Sequence, residues 1–408
     1  MPDRRIVALA VALLLLMSCL APSVARARGA VGPPQANAAS DADFAQQATQ
    51  AKPAQAPKPQ QPPAAQLTEP FPDAATLAKR RIEAENRALF QAQEPLAFTL
   101  AADFKAVNRD RDPESTKTFP AVLTVPDAKG GAAATLEVTL RTRGILRLSP
   151  RTCSFAPLRV DFPKKGGKGT VFDGQDRLKL VTHCENNARY DQYVLLEYLA
   201  YRLHGLVTPS SFRVRLARAT YIDSTTGKTL SVHNAVFIED EDDLARRMEG
   251  RALAIPDKLF SDFDRQSLLV MMLFQYMIGN TDFSIYTVHN VHMVQTPGKP
   301  LYPITWDFDI SGLVNPPYAR PDPRLPINSL RERLYRGPCR TMPEYEVALA
   351  VFRAKQAEVL ALVDSVPGLT ENSRREAAKY LGQFFTLIGQ KDRLKRELVD
   401  RCVNKARM

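Results

Sequence analysis

Between residues 266 and 278 the chain reads QSLLVMMLFQYMI, apolar on nearly every side of a helix, and Gly279 follows. A helix of about 13 residues cannot span a bilayer, which takes roughly 20, so this one must be the buried centre of a core, with Gly279 as its C-terminal stop. The polar turn Gly279-Asn280-Thr281-Asp282 leaves that anchored end, a short strand opens with His289-Asn290, and a second strand reads YPITWDFDI over 302–310. Strand alternation places Trp306, Phe308 and Ile310 on one face and Asp307 and Asp309 on the other, with the two carboxylates roughly 7 Å apart. Such carboxylates repel unless a cation separates them, and their oxygens suit Mg2+ or Mn2+. A metal and phosphate site is expected here. A strand with one wet face would show the same alternation without any function.

The order of parts argues for function. A buried helix, an Asp loop, an Asn and an Asp-bearing strand follow one another as in the catalytic segment of protein kinases. Eight positions separate Asp282 from Asn290, and neither HRD nor DFG occurs. An ordinary protein kinase is excluded, and an atypical kinase-like arrangement is not. Upstream, segments 96–100, 119–125, 135–143, 157–162 and 177–182 read as antiparallel strands, with Gly130-Gly131 as one turn. A loop carrying Lys164, Lys165, Gly166, Gly167, Lys168 and Gly169 joins the last two. It would cover phosphates through backbone N–H groups or serve only as a basic hairpin tip.

Lys179 alternates with Leu178 and Leu180 and so leaves its strand opposite a buried pair. A helix over 188–204 follows, ending at Gly205 and carrying Glu197. A strand lysine paired with a helix glutamate is how kinases hold the nucleotide's phosphates, although both residue types are also common on solvated surfaces. Two further strands, 212–221 and 232–238, lead to the acidic run 239–243. Glu239 would mark a crossover between lobes, and the run would equally suit a helix start. Lys179, Glu197 and Glu239 are the expected cofactor-binding residues. Helical segments within 343–366, 370–388 and 391–405 complete the chain.

The N-terminus has the form of an export signal: Arg4 and Arg5, an apolar run over 6–17, then small residues. Cleavage near Ala25 or Ala27 is favoured over lipid attachment at Cys19, which would tether the chain to a membrane. Residues 28–71 are rich in Ala, Pro and Gln and form a disordered linker. The remainder divides into a β-rich lobe over 72–240, whose first helical stretch caps the domain, and a helical lobe over 241–408. For an exported chain, Cys153, Cys184, Cys339 and Cys402 should be oxidised. Three pairings are open to these four; Cys153 with Cys184 is favoured because they flank a predicted hairpin, with Cys339 and Cys402 paired by elimination. The net charge of +11 comes from arginines and lysines scattered along the chain without a nucleic-acid motif. An anionic envelope polymer or lipid surface is therefore a better partner than nucleic acid. A monomer is expected.

Six stretches taken together carry a family resemblance. They are Arg141-Thr142-Arg143-Gly144, residues 157–162 (PLRVDF), residues 178–181 (LKLV), residues 199–203 (LAYRL), Gly279–Asp282 with His289-Asn290, and Trp306-Asp307-Phe308-Asp309. In this order they resemble the CotH kinase-like family, in particular a branch of exported bacterial proteins. The resemblance implies an α+β, two-lobed atypical kinase fold, with an antiparallel-sheet N-lobe and a mainly helical C-lobe. It also implies Mg2+-dependent phosphoryl transfer from ATP to a protein or envelope acceptor. By position Asp282 would be catalytic and Asn290 and Asp307 metal ligands; strand alternation adds Lys179 to the first role and Asp309 to the second. The chain departs from the family at Ile145, where Asn is usual, and in the insertion over 283–288. An exported kinase meets little ATP, so two other functions stand beside this one. One is a catalytically silent binding or envelope-assembly module. The other is a metal-dependent hydrolase using Asp282, Asp307, Asp309 and His289 or His292. Those two histidines, three apart on a strand, face opposite ways and would not share a zinc ion.

Overall fold

The structure, a computed structural model, describes residues 68–126, 133–164 and 167–403. The signal segment, Cys19, nearly all of the linker, the Gly130-Gly131 turn and Lys165-Gly166 lie outside the described residues.

Seven strands build the first half: β1 (Leu96–Ala102), β2 (Phe119–Val125), β3 (Ala134–Thr142), β4 (Leu158–Asp161), β5 (Arg177–Val181), β6 (Val214–Asp223) and β7 (Thr229–Ile238). They close into a barrel in the order β1-β2-β3-β4-β5-β7-β6. All pairs are antiparallel except the seam, where β1 runs parallel to β6 from Leu96↔Ala217 to Ala102↔Asp223. Period-2 alternation fills the interior: Leu96, Phe98, Leu100 and Ala102 of β1 are buried, and Leu178, Leu180, Phe237 and Tyr221 meet them in one apolar cluster.

Nine α-helices occur among the described residues. Helix α1 (Ala74–Glu85) begins at the Asp73 N-cap. The short α2 (Phe104–Val107) follows β1. Helix α3 (Ala188–Val207) is buried along most of its length and runs through Gly205, where the sequence suggested it would stop. In α4 (Glu241–Arg247) the acidic run supplies both the Asp240 N-cap and the first turn, where negative charge suits the helix dipole. Helix α5 (Arg265–Ile278) is the apolar helix, ended by Gly279 at φ 66°. A small antiparallel sheet, β8 (Arg251–Leu253), β9 (Val291–Gln295) and β10 (Tyr302–Thr305), lies beside it. Helices α6 (Met342–Ala354), α7 (Gln356–Ser365), α8 (Glu371–Ile388) and α9 (Lys391–Leu398) follow.

The expected two-lobed kinase fold is overturned. The sheet is a closed barrel of mixed pairing rather than an open antiparallel sheet. Its outer wall is also part of the helical core, because Val181, Leu216, Val236 and Ile238 pack in one cluster with α3, α5 and the C-terminal helices. The physical reason is the β1–β6 seam. Parallel pairing joins residues more than a hundred positions apart, and local alternation carries no sign of it. The N-terminal helical stretch does cap the structure: Arg87 of the segment after α1 is bonded to Asp243 of α4 at 2.7 Å, and Arg81 to Glu249 at 3.0 Å.

Both expected disulfides are present, Cys153–Cys184 and Cys339–Cys402. They suit an oxidising compartment outside the cytoplasm. Among the described residues no helix is long and apolar enough to cross a membrane. The Cys339–Cys402 bond closes a separation of 63 residues and ties the segment after α9 to the loop before α6. Replacing both cysteines by serine is expected to cost about 4 kcal/mol through the freedom returned to the unfolded chain. A urea midpoint equal to that of the wild type would contradict this.

Candidate active site

Helix α5 supplies the first fixed point. Past Gly279 the chain turns sharply, and the Asp282 N–H donates to Asn280 Oδ1 at 2.9 Å. Arg336 donates to the carbonyls of Thr281 and Phe283, clamping the residues on either side of Asp282. The Asp282 carboxylate meets His289 Nε2 at 3.0 Å and Asn290 Nδ2 at 3.1 Å, and Asn290 Nδ2 also donates to the Asp282 carbonyl at 2.8 Å. Among the described residues Asn290 Oδ1 has no hydrogen-bond donor, and a carbonyl oxygen of this kind can accept one or face a cation. Hydrogen bonding to Asp282 raises the His289 pKa, favouring the imidazolium.

The second fixed point is Phe308, fully buried against Tyr201 and His204 of α3 and Phe274 of α5. Around it the strand reading fails. Strand β10 stops at Thr305, and Asp307 sits at φ 60°, in the left-handed region. The polar network explains why. Trp306 N–H donates to the Asn290 carbonyl at 3.1 Å, whereas Asp307 N–H donates to Tyr201 Oη at 2.9 Å, on a helix rather than on a strand. Asp307 and Asp309 nevertheless remain electrostatic neighbours, and Asp309 also feels Asp282.

Asp309 is buried, accepting from Tyr318 Oη at 3.2 Å with Arg147 Nη1 at 4.0 Å. Glu197 lies one helical turn before Tyr201 on α3, so both side chains leave the same face. It is 2% exposed, and burial together with Asp309 and Asp307 holds its carboxyl well above the ordinary value. Arg147 and Arg143 oppose that shift. Glu197, Arg147, Tyr318 and Tyr193 line a narrow cavity of about 10 Å³.

Lys179 is placed differently from its expected pairing. Its Nζ lies 2.7 Å from Glu241 Oε2, not with Glu197, and 5.0 Å from the centre of the Trp306 ring. After the cost of burial, Lys179 is the largest influence on Glu241 and brings its carboxyl down to about 2. Arg143 lies over the same ring at 5.8 Å, and His292 stacks on it at 5.7 Å. His289 and His292 therefore have separate partners. Glu239 stands apart from the cluster: fully buried, it is bonded to Arg213 at 2.9 Å and Arg247 at 2.7 Å, the pairing a buried carboxylate needs. Its neighbour Glu241 holds the lysine instead.

Glu197, Asp307 and Asp309 are thus electrostatic neighbours, Asp309 also feels Asp282, to which Asn290 is bonded, and Lys179 lies beside Trp306. Sequence reasoning missed Arg147, Tyr201, Tyr318 and the partnership of Glu241. The arginine lies in a loop without a motif, but Glu241 was visible within the acidic run. Among the described residues no group of three or more His, Cys, Asp or Glu side chains is placed to hold a metal ion. A cation here would take one or two carboxylates and the Asn290 oxygen, with phosphate oxygens and water completing its shell. That donor set suits Mg2+ and does not suit a protein-caged zinc ion.

Burial, then Asp307, push the Asp309 carboxyl from 3.8 up to about 7. The folded state therefore holds a proton that the unfolded chain releases near pH 4, and stability falls as pH rises from there to about 7. Asp309→Asn should remove that fall. Its urea midpoint relative to wild type should be higher at about pH 8 than at about pH 5, and an equal difference at both would refute the assignment.

Compared with models of known protein families and with curated proteins, the chain matches none.

Proposed function

We propose that this site transfers a phosphoryl group, with Mg2+, from a nucleotide such as ATP to an acceptor in the cell envelope. The observation that carries the reading is the meeting of acids and cations: Asp282, Asn290, Asp307 and Asp309 beside Arg143, Arg147 and Lys179. It rests on side-chain chemistry and the CotH-like motif order, not on a kinase fold.

Asp282 is half-exposed, and its two partners hold its carboxylate in one orientation, as a group that takes the proton of an acceptor hydroxyl requires. Asn290 Oδ1 and the half-buried Asp307 would hold the cation, with the buried Asp309 behind them. Mg2+, when bound, draws together phosphate oxygens and offsets their charge. Lys179, held by Glu241, and Arg143 supply positive charge at the Trp306 side for the donor's phosphates. The signal-like N-terminal segment and the two disulfides support export. Cleavage near Ala25 or Ala27, rather than lipidation at Cys19, belongs to the same proposal.

Mg2+ or Mn2+ with ATP is expected to raise the melting temperature of the mature protein by about 3–6 °C. Asp307→Ala should abolish the shift. Asp282→Ala should keep it and lower phosphoryl transfer by at least about 100-fold. Absence of any Mg2+- and nucleotide-dependent shift in the wild type would sink phosphoryl transfer and favour a silent binding module. Release of free phosphate without a labelled acceptor would favour the hydrolase, for which the His289–Asp282 pair is the supporting observation.

A further inference from the structure

Beside the carboxylate cluster, where α3 meets the loop after Phe308, lies an open groove of about 340 Å³. Its lining contains two charged residues, Arg189 and Arg320, and no acid. Among the described residues neither arginine is ion-paired. Arg189 Nε donates to Tyr193 Oη at 3.0 Å, and Arg320 Nη1 donates to the Pro317 and Ala319 carbonyls at 3.0 and 2.8 Å. Both are exposed and keep further N–H groups free. The side-chain amides of Asn315 and Asn328 also line the groove and have no hydrogen-bond partner among the described residues. Asn315 adopts φ 47°, a strained conformation for a side-chain-bearing residue.

The groove is joined to the site. Tyr193 lines both it and the cavity that holds Glu197 and Arg147. Tyr318, whose hydroxyl donates to Asp309, lies in the chain between Pro317 and Ala319, which form the groove wall.

We propose that the groove binds an acidic polysaccharide of the envelope, whose carboxylates meet Arg189 and Arg320. A planar guanidinium grips a carboxylate through two parallel N–H groups. Free amides, which both donate and accept, match sugar hydroxyls, which do the same. Proline and tyrosine add apolar surface for the carbon faces of the rings. As a carboxylate-binding subsite the groove stands alone, and only its role in presenting the acceptor rests on the phosphoryl-transfer reading.

The test uses the full mature chain, with a hexamer of galacturonic acid as probe and its methyl ester and a hexaglutamate peptide as controls. Calorimetry should show the uronate hexamer binding and the methyl ester failing. Arg189→Ala and Arg320→Ala should each weaken it by roughly tenfold, and the double variant should not bind. Both positions are exposed, so the variants should melt with the wild type. Asp307→Ala should bind the hexamer like the wild type while losing the Mg2+ and nucleotide shift, which separates the two claims. No binding by the wild type, undiminished binding by the double variant, or hexaglutamate binding as tightly as the sugar would overturn the proposal.

Discussion

Carboxylates held together out of water repel one another, and the region around Asp307 depends on how that repulsion is contained. Glu197 and Asp309 are almost fully buried, and Asp307 is half-buried beside them. The interaction between like charges grows as the local dielectric falls. Arg147 is the main counterweight, with Nη1 toward Asp309 and Nη2 donating to the Thr182 carbonyl. Its position between the barrel and α3 lets one cation serve both Glu197 and Asp309. The rest of the restraint is steric: Phe308 and Tyr201 leave the Asp-bearing loop little room to swing away.

Helix α3 links this cluster to the whole molecule. On one side it packs against the barrel wall, and on the other against α5 and the C-terminal helices. Glu197 and Tyr201 therefore ride on an element braced from two directions, which is what a site needing sub-ångström placement requires. The chain around the site also carries backbone strain. Val288, Asn290 and Asp307 all have positive φ without being glycine. Such residues persist where surrounding contacts override the local preference, and here those contacts are the hydrogen bonds to Asp282 and Tyr201.

Much of this was legible in the amino-acid order, and the failures share a cause. Strands β1 to β7 and helix α5 were readable because alternation and continuous apolarity are local signals. Lys179 was placed on the correct face of β5 by the same logic. Its partner was not, because whether an ammonium reaches Glu197 or Glu241 is decided by how α3 and α4 sit on the barrel. Closure of the barrel was illegible for the same reason: the Phe98↔Ala219 pairing joins segments with nothing between them to announce it. The WDFD segment failed in a different way. Its alternation is real, but a helix tyrosine captures the Asp307 N–H, and the backbone leaves the strand to meet it. Where polar tertiary contacts compete with a local pattern, the pattern loses.

The Cys153–Cys184 bond has a consequence beyond stability. It ties the end of the loop that carries Arg147 to the residue two positions beyond Thr182, whose carbonyl that arginine holds, and Cys184 itself lines the cavity with Glu197. The counter-charge of the buried acids is thus positioned by a bond that forms only where thiols are oxidised. A chain with these two thiols reduced carries the same acids without the tie that sets their arginine in place.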